Sequence, residues 1–388
     1  MPRSLAALLA ALLFLAPAAD AQRMRAAPMS PSALRTRLEA YTADSMRGRM
    51  TGSADHRRAT QYIASELERL GLQPAGDNGS FLQRVPLTHT ALDTATTYNV
   101  VAILRGSDPV LRAEYVALGA HTDHVGIGRP VDHDSLRAFQ LGLRRAQLAA
   151  GGRITPEVYA SARVDMDSIR RRQPRPRLDS IFNGADDDGS GAMGLLEVAR
   201  ALSTDRRIQP KRSIIFVWHT GEELGLFGAE HFTDHPTVPR EQIVAQINVD
   251  MIGRGGRGEE LNGGPHYLQL IGSRRLSTQL GDLVEEVNRR GRYRWEFDYQ
   301  YDAPGHPEQF YCRSDHYMYA RYGIPIVFMT TGSHADYHQV TDEVQYIDFE
   351  KLARVTRFTR DLALAIANRP ERPVVDRPRP NPRGTCIQ

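Results

Sequence analysis

Two glutamates, Glu222 and Glu223, stand side by side just after the apolar run Ser213 to Trp218, where a buried strand should end. Adjacent carboxylates repel, and desolvating either is costly unless a cation or a proton answers it. Four more clusters of metal-binding residue types lie along the chain. They are His121-Thr122-Asp123-His124, Asp186-Asp187-Asp188-Gly189-Ser190-Gly191, Asp250 in Asn248-Val249-Asp250-Met251, and His334-Ala335-Asp336-Tyr337-His338. Each alone has a plainer explanation as a strand-end cap or a turn before a helix. Five together, three of them at strand ends where open α/β sheets bind ligands, are hard to explain that way. Imidazole and carboxylate suit Zn²⁺, which takes about four donors. Two histidines and three carboxylates are too many for one tetrahedral ion. They fit two ions roughly 3.5–4 Å apart if one carboxylate bridges. One glutamate of the pair then binds metal, while its neighbour addresses the reacting water as a general base with its pKa raised toward working pH. Asp123 lies two residues from His121, so in an extended segment the two side chains share a face. Its carboxylate is expected to accept the imidazole N–H and fix the tautomer.

These residues need a frame. Helical patterning covers Pro31 to Tyr41, Asp55 to Leu70, Gly191 to Leu202, Leu276 to Arg290, Asp315 to Tyr322 and Phe349 to Asn368. Strand-like runs cover Tyr98 to Leu104, Glu114 to Gly119, Ser213 to Trp218, Gln242 to Val249, Tyr267 to Ile271 and Ile324 to Met329. Alternation of this kind predicts an α/β fold with a mixed, mostly parallel central sheet and helices on both faces. Residues 136–177 read as an inserted, Arg-rich segment of two helices broken at Gly151-Gly152. It would serve as a lid, as an oligomer contact or as a solvated surface excursion. The Pro/Arg-rich end, 369–388, is expected to be disordered.

Composition narrows the setting. A short basic start, an apolar stretch from Leu5 to Pro17 and Ala19-Asp20-Ala21 read as a signal peptide over 1–21, implying export to a periplasm or the medium. The stretch is too short to span a bilayer, and no later run is longer, so stable membrane insertion is not expected. Cys312 and Cys386 are the two cysteines, enough for one bridge but not for a disulfide scaffold. Net charge is +3, but residues 136–177 carry +7 and the tail +3, which leaves −7 for the rest. A body of that sign argues against nucleic acid as a partner and suits a site that gathers cations.

The order His121-Thr122-Asp123, Asp186 to Gly191, Gly221-Glu222-Glu223, Asn248-Val249-Asp250 and Asp336-Tyr337-His338 resembles the co-catalytic two-zinc aminopeptidases. That family also contains glutamate carboxypeptidases and glutaminyl cyclases. The likeness runs from about Ser32 to Asn368 and includes "GLQPAGDNGSF" (Gly71 to Phe81) and "SDHYMYARYGIP" (Ser314 to Pro325). The resemblance implies one catalytic domain over 22–368. It implies one Zn²⁺ on His121 and Asp250, a second on Glu223 and His338, and Asp187 bridging them, with a cis peptide often following this aspartate. Glu222 would be the base acting on a bridging water, Asp123 the orienting residue, and His124 a near-site residue. His334 competes with His338 for the last position. The implied substrates are peptides with a free N-terminus, cleaved at the N-terminal peptide bond. A carboxypeptidase or dipeptidase of the same fold is the alternative, and a glutaminyl cyclase, which keeps one zinc, is a weaker one. The resemblance says nothing of oligomeric state, and the insertion is foreign to the family's core.

Overall fold

The computed structural model describes residues 27–87, 96–151, 154–162, 164–172, 175–255 and 263–388. The leader expected over 1–21 lies outside them. Among the described residues, no helix is long and apolar enough to cross a membrane.

The strands, in chain order, are β1 (Gln73–Pro74), β2 (Leu82–Pro86), β3 (Thr96–Leu104), β4 (Tyr115–His121), β5 (Gly126–Asp132) and β6 (Leu178–Phe182). They continue as β7 (Ser213–His219), β8 (Ile243–Val249), β9 (Tyr267–Ile271), β10 (Glu296–Asp298) and β11 (Ile326–Thr330). The main sheet runs β1-β3-β7-β4-β8-β11-β9-β10, with β2 added beside β3. Its centre, β7-β4-β8-β11, is parallel, while the joins β3–β7 and β11–β9 are antiparallel. The expected mixed, mostly parallel sheet is therefore present.

Strands β4, β7 and β8 are buried along their whole length, which is why they read as unbroken apolar runs. Alternation still sorts their side chains. Val116, Leu118 and Ala120 of β4, with Ile214, Phe216 and Trp218 of β7, join one core, while Ala117, Ile215 and Val217 join the other. The first core packs under the helices Pro31–Tyr41, Ala54–Arg69, Gly191–Thr204 and Phe349–Asn368. The second lies under the shorter helices Phe227–Asp234 and His316–Ala320. Side-chain caps close orphan N–H groups at five described helix starts, from Ser30, Ser53, Thr155, Ser277 and Asp348. A buried ion cluster ties three helices of the first layer together. Arg37 bonds both Glu197 and Glu66, the latter at 2.6 Å, and Arg200 meets Glu197 at 3.0 Å.

The insertion rises from β5 and returns through β6, an antiparallel pair. Its helices are His133–Ala149, Pro156–Ser161 and Met166–Arg172. The break falls near Gly151 as expected, but the second half holds two short helices where one was expected. It leans on the segment that carries His338. Arg137 Nε lies 3.3 Å from Asp336 and its guanidinium 3.6 Å from the Tyr346 ring centre. His133 Nε2 and Arg177 Nη2 both reach Glu343, at 3.1 and 2.7 Å.

The tail departs from the expectation of disorder. Cys386 is bridged to Cys312, Arg372 Nε bonds Glu114 at 2.7 Å, Asp376 accepts from the Thr278 amide at 3.0 Å, and Gln388 accepts from the Tyr311 amide at 2.9 Å. Composition understates order here, because a covalent tie and ion pairs replace the apolar burial the tail lacks.

Candidate metal centre

The carboxyl ends of β4, β7 and β8 converge. His121 closes β4, Asp250 directly follows β8, and Glu222 and Glu223 lie in the turn after β7. Asp187 comes from the turn that starts the Gly191–Thr204 helix, and His338 from the loop after β11. Two groups form. In one, His121 Nε2 lies 3.2 Å from Asp187 Oδ1 and 3.6 Å from Asp250 Oδ1. In the other, His338 Nε2 lies 3.0 Å from Asp187 Oδ2 and 2.9 Å from Glu223 Oε2. His124 completes that group, with Nδ1 2.8 Å from Glu223 Oε1 and 3.7 Å from Asp187 Oδ2. Within each group the ligand atoms lie within 4.8 Å of one another, and Asp187 belongs to both.

The residues fit a pair of cations. His121 Nε2, Asp187 Oδ2 and Asp250 Oδ1 are buried, yet none makes a hydrogen bond of ordinary geometry. Buried polar atoms are seldom left so, and a cation at each group would satisfy all three. The electrostatics agree. Burial opposes charging of His121 and His338, but the carboxylates around them win. Asp250 and Asp187 hold His121 well above its usual range, and Asp187 and Glu223 push His338 up to about 10. Burial would raise Asp187 too, but His121 and His338 hold it well below the usual carboxylate range. The pocket thus takes up positive charge in whatever form is offered.

The aspartate triplet divides its labour. Asp186 turns away, accepting from the Gly253 amide at 2.6 Å. Asp188 accepts from the amides of His121, Gly191 and Met251 at 2.9, 2.9 and 3.2 Å, pinning two strand ends to the helix start. Only the middle carboxylate is left for the cluster. A side chain at position 191 would meet Asp188 Oδ1 at 2.2 Å, so glycine is needed there. The Asp187–Asp188 peptide is cis. His334 points to Asp186 at 3.3 Å and shares a contact with Arg254 at 3.2 Å, so it stands outside both groups.

Asp123 differs from its expected geometry. Its carboxylate lies 3.8 Å from His121 Nδ1, beyond hydrogen-bond reach, and its backbone carbonyl takes that nitrogen instead at 3.2 Å. The strand ends at His121, so positions two apart no longer share a face. The carboxylate accepts from Thr51 Oγ1 at 2.7 Å and from the amides of Glu222 and Glu223 at 3.2 and 3.3 Å. It orients the glutamate turn, and the carbonyl orients the imidazole. Asp250 is steadied by Ser314 Oγ at 2.8 Å.

Glu222 makes no part of either donor group but lines the same space as Asp187 and Asp250, against Met251, Phe310 and Phe328. Burial first, then the Asp250 and Glu223 carboxylates, push it well above the usual carboxylate range. Sequence reasoning gave His124 only a nearby place. Its two-residue offset from Thr122 hid it, because the chain turns after His121.

Comparison with known proteins places the chain among relatives of known fold and family. The chain is 38% identical to a probable leucine aminopeptidase of Arthroderma otae over 92 residues, 23% of this chain and 25% of the relative. This chain therefore spans about a quarter of that relative's length. A solved zinc aminopeptidase from Bacillus subtilis shares the fold, with a TM-score of 0.58 and 15% identity over 87% of this chain and 95% of that one. A glutaminyl cyclase from Porphyromonas gingivalis does so with a TM-score of 0.56 and 20% identity over 87% of this chain and 98% of that one. The sequence pattern of peptidase family M28 matches residues 99–363, which include every donor of both groups, and the chain belongs to that family.

Proposed function

We propose that this chain is a metal-dependent aminopeptidase that hydrolyses the N-terminal bond of peptides. The observation that carries it is the sharing of Asp187 by two buried donor groups, with Glu222 beside them and outside both. His121 and Asp250 would hold one Zn²⁺, Glu223 and His338 the other, with His124 as a further donor and Asp187 common to both. Bound there, the ions would supply Lewis acidity to the scissile carbonyl and acidify a water. Glu222, held by burial well above the usual carboxylate range, would take that water's proton and pass it to the leaving amine. The apolar walls Met251, Phe310 and Phe328 suit an apolar N-terminal side chain.

The same reading takes 22–368 as one catalytic domain behind a signal peptide, exported to a periplasm or beyond. The Cys312–Cys386 bridge supports an oxidising compartment. A glutaminyl cyclase would be expected to keep one metal, which the two-group donor set speaks against.

Aminoacyl anilides and dipeptides, free and N-acetylated, with and without a chelator, test the proposal. The expected result is cleavage that requires both the free amine and the metal. Cleavage that ignores the N-terminus would turn the reading to a carboxypeptidase or dipeptidase.

A further inference from the structure

Next to the metal centre lies a cleft of about 460 Å³. Its inner wall is shared with the small space before Glu222, since Arg313, Ser333 and Tyr337 line both. Its outer wall is built by the insertion, through Gln140, Arg144 and Gln147 of the His133–Ala149 helix. The insertion is thus one side of a cleft that opens beside the candidate metal centre.

The chemistry of that wall is specific. Arg144 has one hydrogen bond to a neighbour on its own helix, Nη1 to Gln147 Oε1 at 3.0 Å, while its Nε is buried without a partner. Arg313 is held by long contacts, 3.3 Å from the Glu308 carbonyl oxygen and 3.4 Å from both Glu308 Oε2 and the Tyr337 hydroxyl. Glu308 also lines the cleft, so its net charge is positive by one among these groups. A fork-shaped cation with an unmet buried donor is suited to a carboxylate.

We propose that this cleft receives the carboxylate of a short peptide, with Arg144 and Arg313 as its cationic partners. The enzyme then favours oligopeptides with a free C-terminus near the scissile bond over amidated or long ones. This rests on the aminopeptidase reading, because the N-terminal residue must occupy the apolar space at the metals for the far end to reach the cleft. It gives the insertion a function in substrate choice.

The test compares Leu-Gly-Gly with its C-terminal amide, and with Leu-Asp-Gly-amide, whose carboxylate comes from a side chain. The free acid is expected to be favoured over the amide by at least about tenfold in kcat/KM, the size of one charge-assisted hydrogen bond, expressed in KM. Rescue by the aspartyl peptide would place the side-chain carboxylate in the same cleft. Arg144→Gln should bring the acid-to-amide ratio toward one, and Arg144→Lys should keep part of it. Arg313→Gln provides the second variant should the first fail to fold. Equal handling of acid and amide by the wild type, or a ratio unmoved by Arg144→Gln, overturns the proposal. Chelator-sensitive hydrolysis of leucine anilide, which has no carboxylate, reports separately on the aminopeptidase reading. Should the anilide resist cleavage, calorimetry of the zinc-loaded chain with the acid and the amide decides, and equal affinity overturns the cleft's assignment.

Discussion

At Glu222 the carboxylate faces the space that a substrate would enter, while one position on Glu223 is gripped by His124 and His338. The pair can be isolated by substitution. Glu222→Gln keeps the shape and removes the proposed base, so kcat should fall by about 10²–10⁴ while metal content stays at the wild-type level, measured by turnover beside metal analysis. Near-wild-type turnover would remove Glu222 from the mechanism. His124 poses the complementary question. If it is a donor, His124→Ala should weaken one metal by about 10–100-fold in chelator competition and leave the other unchanged. Two metals held as tightly as before would make His124 a packing residue that steadies Glu223.

Among the elements, the first helical layer is joined by charge as well as by apolar contact. Glu197 on the Gly191–Thr204 helix sits between Arg37 and Arg200 with its side chain fully buried. The same helix begins at the aspartate turn, so its position sets that of Asp187. Removing a buried partner leaves charge uncompensated. Glu197→Ala should therefore cost about 3–5 kcal/mol in denaturant unfolding. A loss under 1 kcal/mol would show that Glu66 alone satisfies Arg37. The insertion and the tail are elements of another kind, held by arginines. Arg137 and Arg177 fix the first to the His338 segment, and Arg372 fixes the second to Glu114.

For the whole molecule, acid is the expected weakness. His56 and His316 are buried, and burial holds both down to about 3, with Arg49 adding to the effect at His56. Above their ordinary value of about 6.5 they are neutral folded or unfolded, and stability is intact. As pH falls from there toward 3, the unfolded chain binds the protons and the folded chain does not. Each histidine then removes about 1.4 kcal/mol of stability per pH unit. His316 stacks on Phe328 at 4.5 Å and neither ring nitrogen makes a hydrogen bond of ordinary geometry, so His316→Phe keeps the packing. Denaturant unfolding from pH 6.5 to 5 should show that variant with a slope lower by that one contribution. An unchanged slope would mean that His316 is protonated within the fold.

The sequence by itself determined the strands that matter, because β4, β7 and β8 are buried on both faces and must be apolar runs ending in polar residues. Residue type likewise singled out the clusters around His121, Asp187, Glu222, Asp250 and His338, since few groupings of carboxylate and imidazole can be tolerated at strand ends without a cation, while the choice of Asp187 within its triplet and of His338 over His334 came from the family resemblance. What tertiary structure alone decided was direction and order. It turned the Asp123 carboxylate to the glutamate amides and brought His124 to Glu223, because the chain leaves extended geometry after His121. It set His334 against Asp186, and it held the tail through a bridge spanning 74 residues. It also laid the insertion along the cleft. Local pattern reports what a segment can bury; which partner meets it depends on contacts far apart in the chain.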